Sequence, residues 1–132
     1  MTQHDISPDE KDGGMPVTVL YSETPELTRW RSESLECRPA PGSAAARLTM
    51  FMPAENIAFL HLPSDYRSDW RPAPRKQYVL VLEGALEVEA GSGEKRVFRP
   101  GSILLVTDTA GRGHRTNVVS AQGVLLAWVP VP

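Results

Sequence analysis

The sequence predicts an all-β protein, an antiparallel sandwich or barrel, and three observations carry that prediction. The stretch from Trp70 to Thr116 holds four short apolar runs: Tyr78 to Leu82, Ala85 to Val88, Arg96 to Phe98 and Ile103 to Val106. Their lengths and spacing are those of short strands. Each run is bounded by a turn signal: Glu83-Gly84, then Gly91-Ser92-Gly93, then Arg99-Pro100-Gly101-Ser102, and last the loop Asp108 to Gly113, which delivers His114. Finally, twelve prolines and ten glycines in 132 residues favour turns and disfavour long helices.

Taken in order, residues 1 to 15 are poor in apolar side chains and end near Gly13-Gly14, so a disordered tail is expected, followed by one domain over 16–132. Val17 to Tyr21 reads as a first strand. Thr24-Pro25-Glu26 suits a single capped helical turn within Ser22 to Leu27. Leu27 to Cys37 has no decisive periodicity, and Trp30 is its expected packing anchor. Arg38 to Ala46 is a loop by composition. Arg47 to Met52 and Asn56 to Leu62 read as strands. In the second of these, Ile57, Phe59 and His61 share one face and Ala58, Leu60 and Leu62 the other. Both faces are largely apolar, which predicts cover on both sides and leaves His61 at the end of a buried row or at a pocket rim.

Pro63 to Trp70 is a polar loop. Beyond it, alternation puts Arg71, Ala73, Arg75, Gln77, Val79 and Val81 on one face, with Tyr78 on the other. Pro72 and Pro74 cannot donate ladder hydrogen bonds, so this segment is extended but marginal until about Lys76. Glu87 and Glu89 alternate with Leu86 and Val88, as in a strand with one wet face. Arg99-Pro100-Gly101-Ser102 fits a type II turn. Val124 to Val131 is an apolar closing strand.

The composition excludes several function classes. A formal charge of −2 gives no electrostatic case for nucleic acid or an anionic membrane. The single cysteine, Cys37, permits no intrachain disulfide, which suits a reducing compartment. No run approaches the roughly 20 apolar residues of a membrane span, and the first residues lack the apolar core of a signal peptide. A cytoplasmic protein is the expectation.

The block 70–116 resembles the cupins. That family pairs a His-x-His, Glu and Gly motif with a later Pro-Gly turn and His. Here Gln77 stands seven residues before Gly84 and takes the place of the Glu; Arg71 and Ala73 take the places of the two His. Pro100-Gly101 and His114 supply the second motif. The wording WRPAPRKQ at 70–77 and DTAGRGH at 108–114 is similar to a bacterial subgroup of small single-domain cupins, in which a His is expected where this chain has Arg71. The resemblance covers Asn56 to Val131. It implies a double-sheet jelly-roll barrel, a homodimer paired through a sheet, and a cavity toward which positions 71, 77 and 114 point.

Metal-dependent cupins bring several imidazoles and a carboxylate together around open coordination positions. This chain departs from that set at three of four positions. His114 is a capable ligand, Gln77 offers a neutral amide oxygen, Ala73 offers nothing and the Arg71 guanidinium repels a cation. No cofactor is therefore expected. The alternative is a divalent transition metal (Fe, Mn, Zn or Ni) held by His114, Gln77 and His61.

Three functions follow as expectations. The first is a metal-independent isomerase, cyclase or lyase of small-molecule metabolism. In it His114 is general acid or base and Arg71 and Gln77 grip an anionic or carbonyl group. The second is a metal-dependent enzyme such as a dioxygenase, and the third a non-catalytic binding or sensing module. Substrate contacts are expected from Trp70, Arg71, Gln77, His61 and Trp128; Asp108 and Thr109 precede the glycine turn, where such residues either orient the histidine or, more often, cap the loop. The expected partner is a small organic molecule.

Overall fold

A computed structural model describes residues 14–132. The expected tail over residues 1–15 lies outside the described residues except for its end, where Met15 already opens the first strand. Eleven strands follow in chain order: β1 (Met15–Thr24), β2 (Leu27–Leu35), β3 (Cys37–Ala40), β4 (Ser43–Thr49), β5 (Ala58–Leu62), β6 (Gln77–Glu83), β7 (Leu86–Glu89), β8 (Lys95–Phe98), β9 (Ile103–Val106), β10 (Arg115–Val118) and β11 (Val124–Pro130). The described residues contain no helix, and hence none long and apolar enough to cross a membrane.

Six strands form one sheet in the order β2-β1-β9-β6-β11-β5, and three form a second in the order β10-β7-β8. Pairing is antiparallel except between β1 and β9, which run parallel. This is the all-β, double-sheet architecture the turn spacing predicts. The inner faces meet in one core. Leu20, Val79, Val81, Leu104, Val106 and Leu126 come from the large sheet, and Leu86, Val88, Phe98 and Val118 from the small one. Trp30 seals one side against Phe98, with ring centroids 5.4 Å apart, and its indole N–H donates to the Glu94 carbonyl at 3.0 Å. It is the packing anchor expected of it.

Several local expectations are corrected. Ser22 to Leu27 does not turn into a helix. Thr24 pairs with Leu27 and Pro25-Glu26 make a two-residue hairpin turn, because β2 continues the ladder of β1 over its whole length. Arg38 to Ala46 is a hairpin and not a loop: β3 and β4 pair around Pro41-Gly42, with Gly42 at a φ of 82°. Pro39 is tolerated there because a two-stranded ribbon consists of edges. The strand expected over Arg47 to Met52 ends at Thr49, and the one expected over Asn56 to Leu62 starts at Ala58. β5 is not covered on both sides. Leu60 and Leu62 pack inward on the core, while Phe59 and His61 face outward and are exposed. The cause is its place at the sheet edge, where only the inner face has a layer to meet.

Candidate functional site

Residues 66–73 carry the local geometry from which the site is built. This segment runs antiparallel to β10 and extends the small sheet. The Val118 and Ser68 amides donate to the carbonyls of Tyr66 and Thr116, and the Thr116 amide donates to Ser68 Oγ at 2.8 Å. Arg71 and His114 then exchange both backbone hydrogen bonds, at 2.9 and 3.0 Å. Residues that pair this way face each other directly, with Cα atoms about 5.5 Å apart and side chains on the same side. Forty-three residues of separation thus collapse into adjacent side chains.

The loop before His114 is fixed from three sides. Gly113 has a φ of 76°, and a Cβ there would lie 2.1 Å from the Arg71 carbonyl oxygen, so only glycine admits the close approach. Thr28, fully buried on β2, donates its hydroxyl to the Gly113 carbonyl at 2.8 Å. The Arg112 amide donates to Pro25 and the Ala73 amide to Asp108, both at 2.9 Å. The β1–β2 hairpin therefore clamps the loop that presents His114.

Between the sheets lies a cavity of about 310 Å³. Its walls are apolar, including Leu60, Leu62, Val79, Leu86, Leu104, Leu126 and Trp128, and its polar lining comprises Tyr66, Ser68, Arg71, Gln77, His114 and Thr116. Arg71, Gln77 and His114, expected to converge, do line one cavity. Arg71 sits exposed at its mouth and donates from Nη2 to the Tyr66 hydroxyl. Gln77 is 3 % exposed, and its side chain makes no hydrogen bond to any described residue. The residue is buried overall, and its amide keeps access to the cavity with donor and acceptor capacity left for a molecule there.

His114 is held from behind. Its Nδ1 lies 2.6 Å from Oδ2 of Asp108, a carboxylate with no exposed surface. A carboxylate only accepts, so Nδ1 carries a proton and Nε2 is the nitrogen left for the cavity. The other Asp108 oxygen, Oδ1, has no hydrogen-bond partner. Among the described residues the Asp108 side chain thus engages one imidazole, while its backbone carbonyl accepts from Ala73. Thr109 is exposed and directs only its amide to the Thr107 carbonyl.

Two expected substrate contacts are corrected. His61 does not line the cavity. It faces away from it, on the outer side of β5, against Gly123, where a Cβ would stand 3.0 Å from its ring. Strand alternation decides this, since Leu60 and Leu62 take the inner positions. Trp70 also lies outside the cavity. Its ring stacks with the guanidinium groups of Arg112, at 4.0 Å, and Arg115, at 4.8 Å. Both arginines are thus stacked on an aromatic face, and Arg115 also pairs with Glu89 at 2.7 Å. Trp128 does line the cavity.

The donor set does not fit the metal that the resemblance brings into question. With His61 turned away, the alternative ligand set of His114, Gln77 and His61 is not assembled, and no group of three or more His, Cys, Asp or Glu is placed to hold a metal among the described residues. His114 supplies a single imidazole nitrogen, Gln77 is neutral, and a guanidinium stands at the mouth.

Sequence reasoning missed Tyr66, Ser68, Thr116 and the clamp residue Thr28. The alternation that placed Arg71 and Ala73 was available for the segment before them, but Pro63 to Trp70 reads as polar loop because its strand partner lies 48 to 52 residues on.

No protein-family model matches the chain, and no curated protein matches it. Among solved structures, the chain is similar to protein NMB1881 from Neisseria meningitidis. The identity is 20%, over 67% of this chain and 91% of that one, with a TM-score of 0.47. It is also similar to a putative ethanolamine utilization protein Q from Salmonella typhimurium LT2. Here the identity is 14%, over 90% of this chain and 97% of that one, with a TM-score of 0.38.

Proposed function

We propose that this chain is a cupin-type small-molecule-binding protein whose cavity carries out metal-independent acid–base chemistry of the isomerase, cyclase or lyase kind. One observation carries the reading: an imidazole whose Nδ1 is engaged by a buried carboxylate faces a largely apolar cavity, beside a buried amide that has no partner of its own. Asp108 fixes the ring and stabilises the imidazolium that proton uptake creates. Nε2 takes a proton from a C–H or O–H of the substrate and returns it at another atom, so an isomerisation closes with no added reactant. In an elimination the same proton leaves with the departing hydroxide as water. Gln77 donates to the oxygen on which negative charge develops. The apolar walls keep bulk water from the exchange.

The test is turnover in a metabolite extract, followed by mass spectrometry. His114→Asn is the informative variant, because its amide N–H takes the place of Nδ1–H against Asp108 while Nε2 is removed. The wild-type protein, stripped with a chelator, converts one metabolite into an isomer or a dehydrated product, and His114→Asn lowers that rate by about 10²- to 10⁴-fold, the usual range for a positioned acid or base. Conversion that requires added iron, manganese, zinc or nickel, or that survives His114→Asn, overturns the proposal.

For the outer face, the proposed partner is a second copy of the chain. Met50 and Phe51, 66 and 92 % exposed, lie with Tyr78 and Val129 on the outer side of the large sheet, and Phe59, 68 % exposed, stands on its edge strand β5, a surface that self-association would cover. Phe59→Glu is expected to turn a dimer into a monomer in light scattering after size exclusion; a wild-type monomer at high concentration contradicts this.

A further inference from the structure

The cavity has a polarity that selects its ligand. Its volume of about 310 Å³ is at the small end of the roughly 300–1,000 Å³ usual for ligand pockets, so it takes a small metabolite and not a dinucleotide. Arg71 is the sole arginine, lysine, aspartate or glutamate in the lining, and it stands at the mouth with a hydrogen bond from its guanidinium to Tyr66. Nothing acidic in the lining offsets it. Deeper in, the walls are leucine, valine and Trp128.

We propose that the ligand is a small carboxylic acid with an apolar tail, bound with its carboxylate at the mouth on Arg71 and its tail among Leu60, Leu126 and Trp128. This deepens the acid–base reading and rests on it only for what happens after binding. A guanidinium is permanently charged and presents paired donors that match a carboxylate. Tyr66 Oη occupies part of Nη2 and restricts the rotation of the fork, so Tyr66 is a positioning residue for the head group. Because Arg71 and His114 are directly opposed in the ladder, a carboxylate held by Arg71 brings the carbons next to it alongside the imidazole. Gln77, buried and without a partner, takes a second oxygen on the ligand. The tail then occupies the apolar part of the cavity.

Calorimetric titration with matched probes tests the assignment: 3-phenylpropanoate, hexanoate, their primary amides and hexylamine. Wild-type protein is expected to bind the carboxylates about tenfold or more tightly than the amides, the difference a charge-assisted pair makes, and to bind hexylamine least. Arg71→Gln brings the carboxylate-to-amide ratio to about one while the amide affinity stays, which separates loss of the head contact from loss of the fold. Arg71→Lys keeps part of the preference, and Tyr66→Phe lowers carboxylate affinity a few-fold without touching the amides. Amides or hexylamine binding as well as the carboxylates, a ratio unchanged by Arg71→Gln, or no binding by any probe overturns the proposal. The two readings fail separately. Arg71-dependent carboxylate binding without any turnover sinks the acid–base chemistry alone, and His114-dependent turnover of a neutral or cationic substrate sinks the carboxylate assignment alone.

Discussion

Each face of the six-stranded sheet carries a local departure from the usual distribution of polarity. Gln77 and Tyr78 are neighbours on β6, yet the inner residue is a buried amide without a partner and the outer one a phenol directed at Met52. On β5, Leu60 and Leu62 pack inward while Phe59 and His61 stand exposed. An inner face that keeps unpaired polar groups costs stability, and an outer face that displays large apolar ones costs solubility. These two departures are the grounds on which a ligand inside and a second copy of the chain outside are proposed. The two described histidines separate along the same line. His114 is built into the fold through a buried carboxylate, and His61 is a surface residue of an edge strand.

The largest expected effect breaks the support of the inner site. Gly113→Ala places a Cβ 2.1 Å from a backbone oxygen at a φ of 76°, whereas Gly93→Ala, at a φ of 91°, meets nothing within 4 Å. Both substitutions carry the cost of the left-handed conformation, about 1–2 kcal/mol, and only the first adds a collision with backbone that cannot move aside. In urea denaturation Gly113→Ala is expected to lose more than about 3 kcal/mol, against about 1 kcal/mol for Gly93→Ala. Equal losses would show that the loop has room the geometry denies it.

A second pair of variants sharpens the contrast between the histidines. His114→Ala strips a buried carboxylate of its one side-chain partner and is expected to destabilise by about 1–3 kcal/mol, the cost of leaving a buried hydrogen-bonding group unsatisfied. His61→Ala is expected to stay within about 0.5 kcal/mol. The two shifts in midpoint are read in the same denaturation series; comparable values would mean that Asp108 does not hold the ring.

The inner face was partly legible in the sequence because strands alternate. From Val79 and Val81 the pattern extended back to Gln77, Ala73 and Arg71, and the resemblance to cupins implied that His114 joins them. The double-sheet class was legible for the same reason, since each turn between β6 and β9 carries its own Gly or Pro signal. What escaped has a physical cause as well. Alternation assigns residues to faces but does not say which face has a neighbour. His61 was therefore placed at the end of a buried row or at a pocket rim although its face is open. Trp70 fell to a different gap: arginines that stack on it lie 42 and 45 positions on, and no local rule joins them. The hairpin of β3 and β4 was hidden under Pro, Gly, Ser and Ala, whose weak strand preference is overridden by pairing with each other. Tyr66 and Thr28 act through hydrogen bonds to distant backbone or side chains, which composition does not encode.

The central claim is that Asp108 fixes the His114 ring so that Nε2 is the nitrogen offered to the cavity. Long-range ¹H–¹⁵N correlation spectra of the imidazole at alkaline pH test it directly. The arrangement predicts that His114 holds its single proton on Nδ1, and that Asp108→Ala releases it to the mixture of tautomers seen for the exposed His61. A proton on Nε2 in the wild-type protein, or a ring pattern that Asp108→Ala leaves unchanged, would contradict it.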